Sequence, residues 1–270
     1  MIITVDIGGT KTRLGYSRIG THLEDSLQFA TPKNQRIVVA TLKENIKLLI
    51  GSSEVDAIGI SSPGPIDKKR GVILSPRNLS WKNLRIVKPM QDYFDCPVLL
   101  EHDATAGGIA EARLGAAMGR RVVLYVSIST GLGSSIIVDG LPLPTPYNQE
   151  GGRQIVGSNL LLDRFGLATA GKSIQQRYGK IAQDIHSPKI WKDIAHEFAV
   201  GIFNMITIID PDCVVLSGGV SVHYRRFIKP LKKQLKELGP IYPLPKIVKA
   251  RYPQTAPSLG VLILASESLK

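Results

Sequence analysis

With 270 residues, 43% of them apolar, the chain can bury one large core or two smaller ones, and since domains commonly hold ~100–200 residues two lobes are expected. A net charge of +12 calls for an anionic partner, yet the clusters Lys68-Lys69-Arg70, Arg120-Arg121, Arg225-Arg226 and Lys232-Lys233 are scattered along the chain and no aromatics interleave with them. Nucleic acid is therefore set aside in favour of a basic surface serving a phosphorylated small molecule. Cys96 and Cys213 are far apart and lack metal-ligand spacing, which excludes a disulfide framework and a cysteine zinc site. No stretch approaches the ~18 apolar residues of a membrane span, and the N-terminus runs directly into a β-branched segment. A soluble cytoplasmic protein with no membrane partner is expected.

Ile2 to Val5 predicts a buried strand and Leu14 to Ile19 its hairpin partner, with a glycine loop between them. Apolar residues at Ile37, Leu42, Ile46 and Leu49 predict a helix, and Val55 to Ile60 a strand stopped by "SSPGPID". "PVLLEHD" reads as a strand ending in charge, followed by the small-residue helix "ATAGGIAEARLGAA". "VVLYVSI", "STGLGS" and "SIIVDG" then repeat the opening order of strand, glycine and hydroxyl loop, and strand. That recurrence predicts a duplicated fold whose halves face each other across a cleft. Pro142, Pro144 and Pro146 mark a loop. The spacing of Ile194, Phe198, Ile202, Met205, Ile206 and Ile209 predicts an amphipathic helix ended by Pro211. "CVVLSGGVS" reads as strand, glycine turn and helix start, and "SLGVLILASESL" as a closing helix.

Gly8 and Gly9 let backbone N–H groups approach an anion, and Thr10, Lys11 and Thr12 add side-chain donors. Asp6 would repel a phosphate unless a divalent cation sits between them, so it is a candidate Mg²⁺ carboxylate, acting through water. A plain hairpin turn is the competing reading. Thr130, Gly131 and Gly133 repeat this chemistry, and Gly218 with Gly219 supplies a third turn on which an adenine or ribose could lie. Asp103 ends a predicted strand where open α/β sheets bind ligands, although an N-cap for the next helix would look the same. "GLATAGKS", Gly166 to Ser173, fits a P-loop in letters, but the required flanking strands and second acid are missing. It reads as a helix start with Lys172 exposed.

"DIGGTKTRLGY", "GISSPGPID", "EHDATAGGIAEARLGA", "STGLGSSIIVDG" and "IIDPDCVVLSGGVS", in this order, resemble the ROK family of sugar kinases and repressors, within the actin-like ATPase superfamily. The resemblance covers nearly the whole chain. It implies an α/β protein of two ribonuclease-H-like lobes with a central cleft, for which we expect residues 1–103 plus 257–270 in the smaller lobe and 104–256 in the larger. It implies ATP and Mg²⁺ as cofactors, a sugar substrate, and Asp103 as the base that deprotonates the attacking hydroxyl. Relatives are often dimers, which leaves a homodimer open.

By the same resemblance Glu150 grips sugar hydroxyls, and Gly64 and Asn78 match positions that line the sugar site. Two positions depart from the family pattern: Arg153 replaces a histidine, and His102 stands where asparagine is commonest. An anionic sugar or an Arg153–Glu150 ion pair are the two consequences weighed. The family's cysteine-rich zinc motif is absent, and Asp163 aligns with a further sugar-binding glutamate only by shifting the alignment. The expected activity is ATP-dependent phosphorylation of a hexose or hexose derivative. A polyphosphate-dependent, glucokinase-like enzyme and a non-catalytic sugar sensor are the alternatives; the family's repressors carry an N-terminal helix-turn-helix for which this chain leaves no room.

Overall fold

The computed structural model describes residues 1–76, 78–157 and 165–270. Asp163 and most of "NLLLDRF" lie outside the described residues. The chain divides into two compact units: residues 1–110, 145–148 and 255–270 form the first, and residues 111–144 and 149–254 the second. The first boundary falls inside a helix, past the Asp103 position expected from sequence, because the early turns of that helix pack with the first unit's own closing helix.

In the first unit, β1 (Ile2–Ile7), β2 (Lys11–Ser17), β3 (Asp25–Ala30), α1 (Gln35–Ile50) and β4 (Ala57–Ser62) follow in sequence. The short strands β5 (Ile66–Asp67), β6 (Val72–Ile73) and β7 (Leu84–Arg85) form a small sheet of their own, and α2 (Val87–Phe94), β8 (Val98–His102) and α3 (Asp103–Arg113) complete the run. The main sheet has the order β3-β2-β1-β4-β8, with β1 antiparallel to β2 and parallel to β4. Ile3, Val5 and Ile7 of β1 are buried with Ile58 and Ile60 of β4, covered by Val38, Leu42 and Ile46 of α1. Each such side chain contributes about 1.5–3 kcal/mol by leaving water. Ile37, expected on this face, is half exposed and Val38 replaces it. Positions 38, 42 and 46 recur every fourth residue and so share one side of a helix. The carboxyl-terminal helix, Ala256–Glu267, is apolar on most of its surface and packs on β1, β4 and β8.

The second unit repeats the plan. β9 (Val122–Ile128), β10 (Leu132–Val138) and β11 (Leu141–Pro142) form antiparallel pairs, and after α4 (Phe165–Thr169), α5 (Gly171–Tyr178) and α6 (Pro188–Ile209) come β12 (Cys213–Ser217), α7 (Tyr224–Glu237) and β13 (Lys246–Lys249). The sheet order β11-β10-β9-β12-β13 matches the first sheet strand for strand, with β12 parallel to β9 as β4 is to β1. Phe198 and Ile202 of α6 and Phe227, Leu231 and Leu235 of α7 pack on Leu124, Val126, Val214 and Leu216. α6 ends at Asp210, which takes a left-handed conformation (φ 48°) and caps the helix with its N–H on the Ile206 carbonyl, a conformation aspartate tolerates better than most residues; Pro211, which has no N–H, follows.

Candidate active site

In the first unit, β1, β4 and β8 run parallel, with Asp6 paired to Ser61 and Ser62 to His102. Neighbouring strands are ~4.8 Å apart, so Asp6, Ser61 and Glu101 stand side by side across the three strands, and His102 and Asp103 are the next two residues at the carboxyl end of β8. Ser61 Oγ donates to Asp6 Oδ1 at 2.7 Å, and an Arg13 guanidinium nitrogen lies 4.0 Å from Oδ2. Burial pushes the Asp6 carboxyl up to about 6; the Ser61 hydrogen bond opposes that rise, the Asp103 charge adds to it, and Arg13 pulls it back.

Asp103, the first residue of α3, is also pushed up to about 6 by burial, against the opposing hydrogen bond from the Ala104 N–H at 2.6 Å. Its side chain keeps 37% of its surface open, so a ligand can reach it. His102 Nε2 lies 3.2 Å from Asp103 Oδ1, with the ring almost fully buried. The buried Glu101 takes Lys68 Nζ at 2.6 Å on one oxygen and the His102 N–H at 2.8 Å on the other. Lys68 reads in the sequence only as part of a basic cluster, because its partner on β8 lies 33 residues away.

The first glycine loop belongs to the same unit. The Gly8 N–H closes it onto the Lys11 carbonyl at 2.9 Å, and Lys33 Nζ reaches the Gly9 carbonyl at 3.2 Å. A Cβ at Gly9 would stand 2.8 Å from Asn78 Cβ, so Asn78 lies directly against the loop and only glycine fits there. Thr10 and Lys11 are exposed. Thr12, expected to offer its hydroxyl to a phosphate, is instead 1% exposed with Oγ1 3.0 Å from Thr31 Oγ1. It secures the hairpin, because its place in β2 turns the side chain inward. Gly64 is half-buried in the loop that follows β4.

In the second unit, Ser129 and Thr130 meet Gly219 at a cavity of about 600 Å³, within the size range of small-ligand sites. Gly218 adopts φ +83°, and a Cβ there would stand 2.5 Å from the Ile128 carbonyl, so the turn presses against the end of β9. Gly131 and Gly133 sit half-buried at the start of β10. The cavity is also lined by Lys172, Gln175 and His223. Burial, with Arg226 and Lys249 nearby, holds His223 below the usual imidazole range. Lys172 is exposed as expected, and its segment is helical rather than a strand-linked loop. Its place in the cavity comes from the Gly171 N–H, which bonds the Ser129 carbonyl at 2.7 Å. Glu150 is half-buried and Arg153 exposed in a short 3₁₀ turn, where the Arg153 N–H donates to the Glu150 carbonyl at 2.8 Å. Among the described residues no ion pair joins their side chains.

Among the described residues no three His, Cys, Asp or Glu side chains converge as a metal cage. Asp6 stands near the end of β1 beside the glycine loop, with Ser61 Oγ on Oδ1 and Arg13 4.0 Å from Oδ2, a one-carboxylate donor set compatible with a Mg²⁺ whose shell is completed by water and phosphate oxygens.

A family model described as ROK family matches residues 2–144 and 167–268. A fructokinase from Lactococcus lactis subsp. cremoris is 27% identical over 80% of this chain and 78% of its own. A ROK family glucokinase from Streptomyces griseus, solved in complex with glucose and AMPPNP, is 22% identical and superposes with a TM-score of 0.87 over 98% of this chain and 99% of that one. A ROK hexokinase from Thermus thermophilus is 25% identical with a TM-score of 0.78, covering 99% and 98% of the two chains.

Proposed function

The chain belongs to the ROK family, and from that membership we propose that it is an ATP-dependent sugar kinase acting on a hexose hydroxyl, with Asp103 as general base. The relatives named fructokinase and glucokinase, and the glucose and AMPPNP held by the Streptomyces griseus enzyme, support this reading. The single observation that carries the chemistry is the placement of two carboxyls, Asp6 near the end of β1 and the partly open Asp103 directly after β8, at the carboxyl ends of parallel strands of one sheet; both are raised to about 6 by burial.

An ionised Asp103 accepts the proton as the sugar oxygen bonds to the γ-phosphorus and the bond to the ADP oxygen breaks. A carboxyl poised near 6 is largely ionised at neutral pH and still basic enough to take that proton. His102 Nε2, 3.2 Å from Asp103 Oδ1, fixes the orientation of that carboxylate. Asp6 would hold Mg²⁺, which when bound offsets the negative charge of the phosphates. In this reading, Gly8, Gly9, Thr10 and Lys11 receive phosphate oxygens on the first unit. Thr130, Gly131, Gly133 and the Gly218-Gly219 turn receive the donor nucleotide on the second, where the cavity at Thr130 and Gly219 has room for a nucleoside. Gly64, Asn78, His102, Glu150 and Arg153 are assigned to the sugar.

ADP release measured across a panel of hexoses tests the reading. Turnover on at least one hexose, lowered ~10²–10⁴-fold by Asp103→Asn, is expected. Sugar binding without turnover would make the chain a sensor and refute the kinase. Arg153→His is expected to raise use of neutral hexoses if the guanidinium faces the acceptor.

A further inference from the structure

The basic pairs that look scattered in the sequence are partly gathered by folding. We propose that the outer face of α7, together with the exposed Ile241 and Tyr242 that follow it, is a docking surface for an anionic lipid bilayer. α7 carries Arg225, Arg226, Lys229, Lys232, Lys233 and Lys236, all exposed, against one acid, Glu237. At 3.6 residues per turn, Arg225, Lys229, Lys232, Lys233 and Lys236 fall within an arc of ~100° on a stripe ~17 Å long. Phe227, Leu231 and Leu235 occupy the opposite side and are fully buried in the second unit's core. The fold therefore fixes the cationic face outward. Of these six α7 cations only Lys233 is ion-paired among the described residues, with Glu237 at 3.7 Å.

A second observation selects the partner. Shortly after the helix, Ile241 and Tyr242 are 89% and 71% exposed. They lie in a segment that Pro240, Pro243 and Pro245 stiffen by fixing φ. A cationic face bordered by protruding apolar side chains is the two-signal pattern of reversible bilayer attachment, with charge drawing the protein to anionic headgroups and apolar groups entering the interface. Tyrosine is favoured at that depth because its ring is apolar and its hydroxyl stays wet. A nucleic acid or inorganic polyphosphate would use the cations but gain nothing from an exposed isoleucine. No helix among the described residues is long and apolar enough to cross a membrane, so attachment here lies on the bilayer surface.

Sedimentation of the full chain with phosphatidylcholine vesicles, and with vesicles in which about a third of the lipid is phosphatidylglycerol, tests this. Binding to the anionic vesicles at least ~10-fold above the neutral ones is expected, weakening with salt. Lys229→Glu, Lys232→Glu and Lys236→Glu together should lower it ~100-fold, at roughly fivefold per cation. Ile241→Ser with Tyr242→Ser should lower it ~10-fold or more with an unchanged melting temperature, since both side chains are exposed. Equal binding to both vesicle types, or none, overturns the proposal. So does loss with the charge variant but not with the apolar one, which would assign the face to a soluble polyanion.

Discussion

With Asp6 and Asp103 both raised to about 6 by burial, the proposed mechanism predicts a steep pH dependence of catalysis. If both Asp6 and Asp103 must be ionised, each is roughly one-tenth ionised at pH 5 and nearly fully ionised at pH 8, so kcat/KM should fall about 100-fold between those values. The acid limb should approach a slope of two in log kcat/KM against pH and bend near 6, and it belongs to the pair because the Asp103 charge raises Asp6. The assay is initial-rate ADP release with sugar and Mg-ATP both well below saturation, at constant ionic strength. Replacing Asp6 by Asn should leave a slower enzyme whose acid limb has a slope near one. A profile flat down to pH 5, or one bending near the usual carboxylate value of ~4, would refute the claim that burial poises these groups for catalysis.

Stability should move opposite to activity. Asp6 binds its proton more tightly folded than unfolded, so its ionisation costs stability as pH rises from the unfolded value through about 6. Asp6→Asn, which still accepts from Ser61, should therefore raise the melting temperature at pH 7 but not at pH 4, with an upper bound of about 3 kcal/mol; a variant less stable at pH 7 would contradict this. Gly260→Ala places a Cβ 1.8 Å from the Ala106 carbonyl, where the closing helix crosses α3. Chemical denaturation should show a loss of about 1–3 kcal/mol from this overpacking, and a neutral effect would mean that the crossing is looser than described. Lys172→Ala should raise KM for ATP several-fold with KM for sugar unchanged, because Lys172 lines the cavity shared by Thr130 and Gly219. An effect on sugar alone would remove that cavity from the nucleotide site.

The sequence alone determined the repeated strand–loop–strand units, since two-residue alternation and paired glycines are local signals that no distant contact has to supply. It likewise placed the strand that runs up to Asp103 and the long helix before Pro211, where apolar period and a backbone restriction coincide. "SSPGPID" was read as a stop, but Ser61 and Ser62 belong to β4, and Ser61 reaches Asp6 across 55 residues of chain. That bond depends on strand register, which only the assembled sheet fixes. The same holds for Thr12, turned inward onto Thr31, for Lys68 on buried Glu101, and for Lys172 drawn to the Ser129 loop. Residue type and local period declare which groups are chemically able. Burial, which raised Asp6 and Asp103 to about 6, is a property of everything packed around them, so tertiary structure alone decided it.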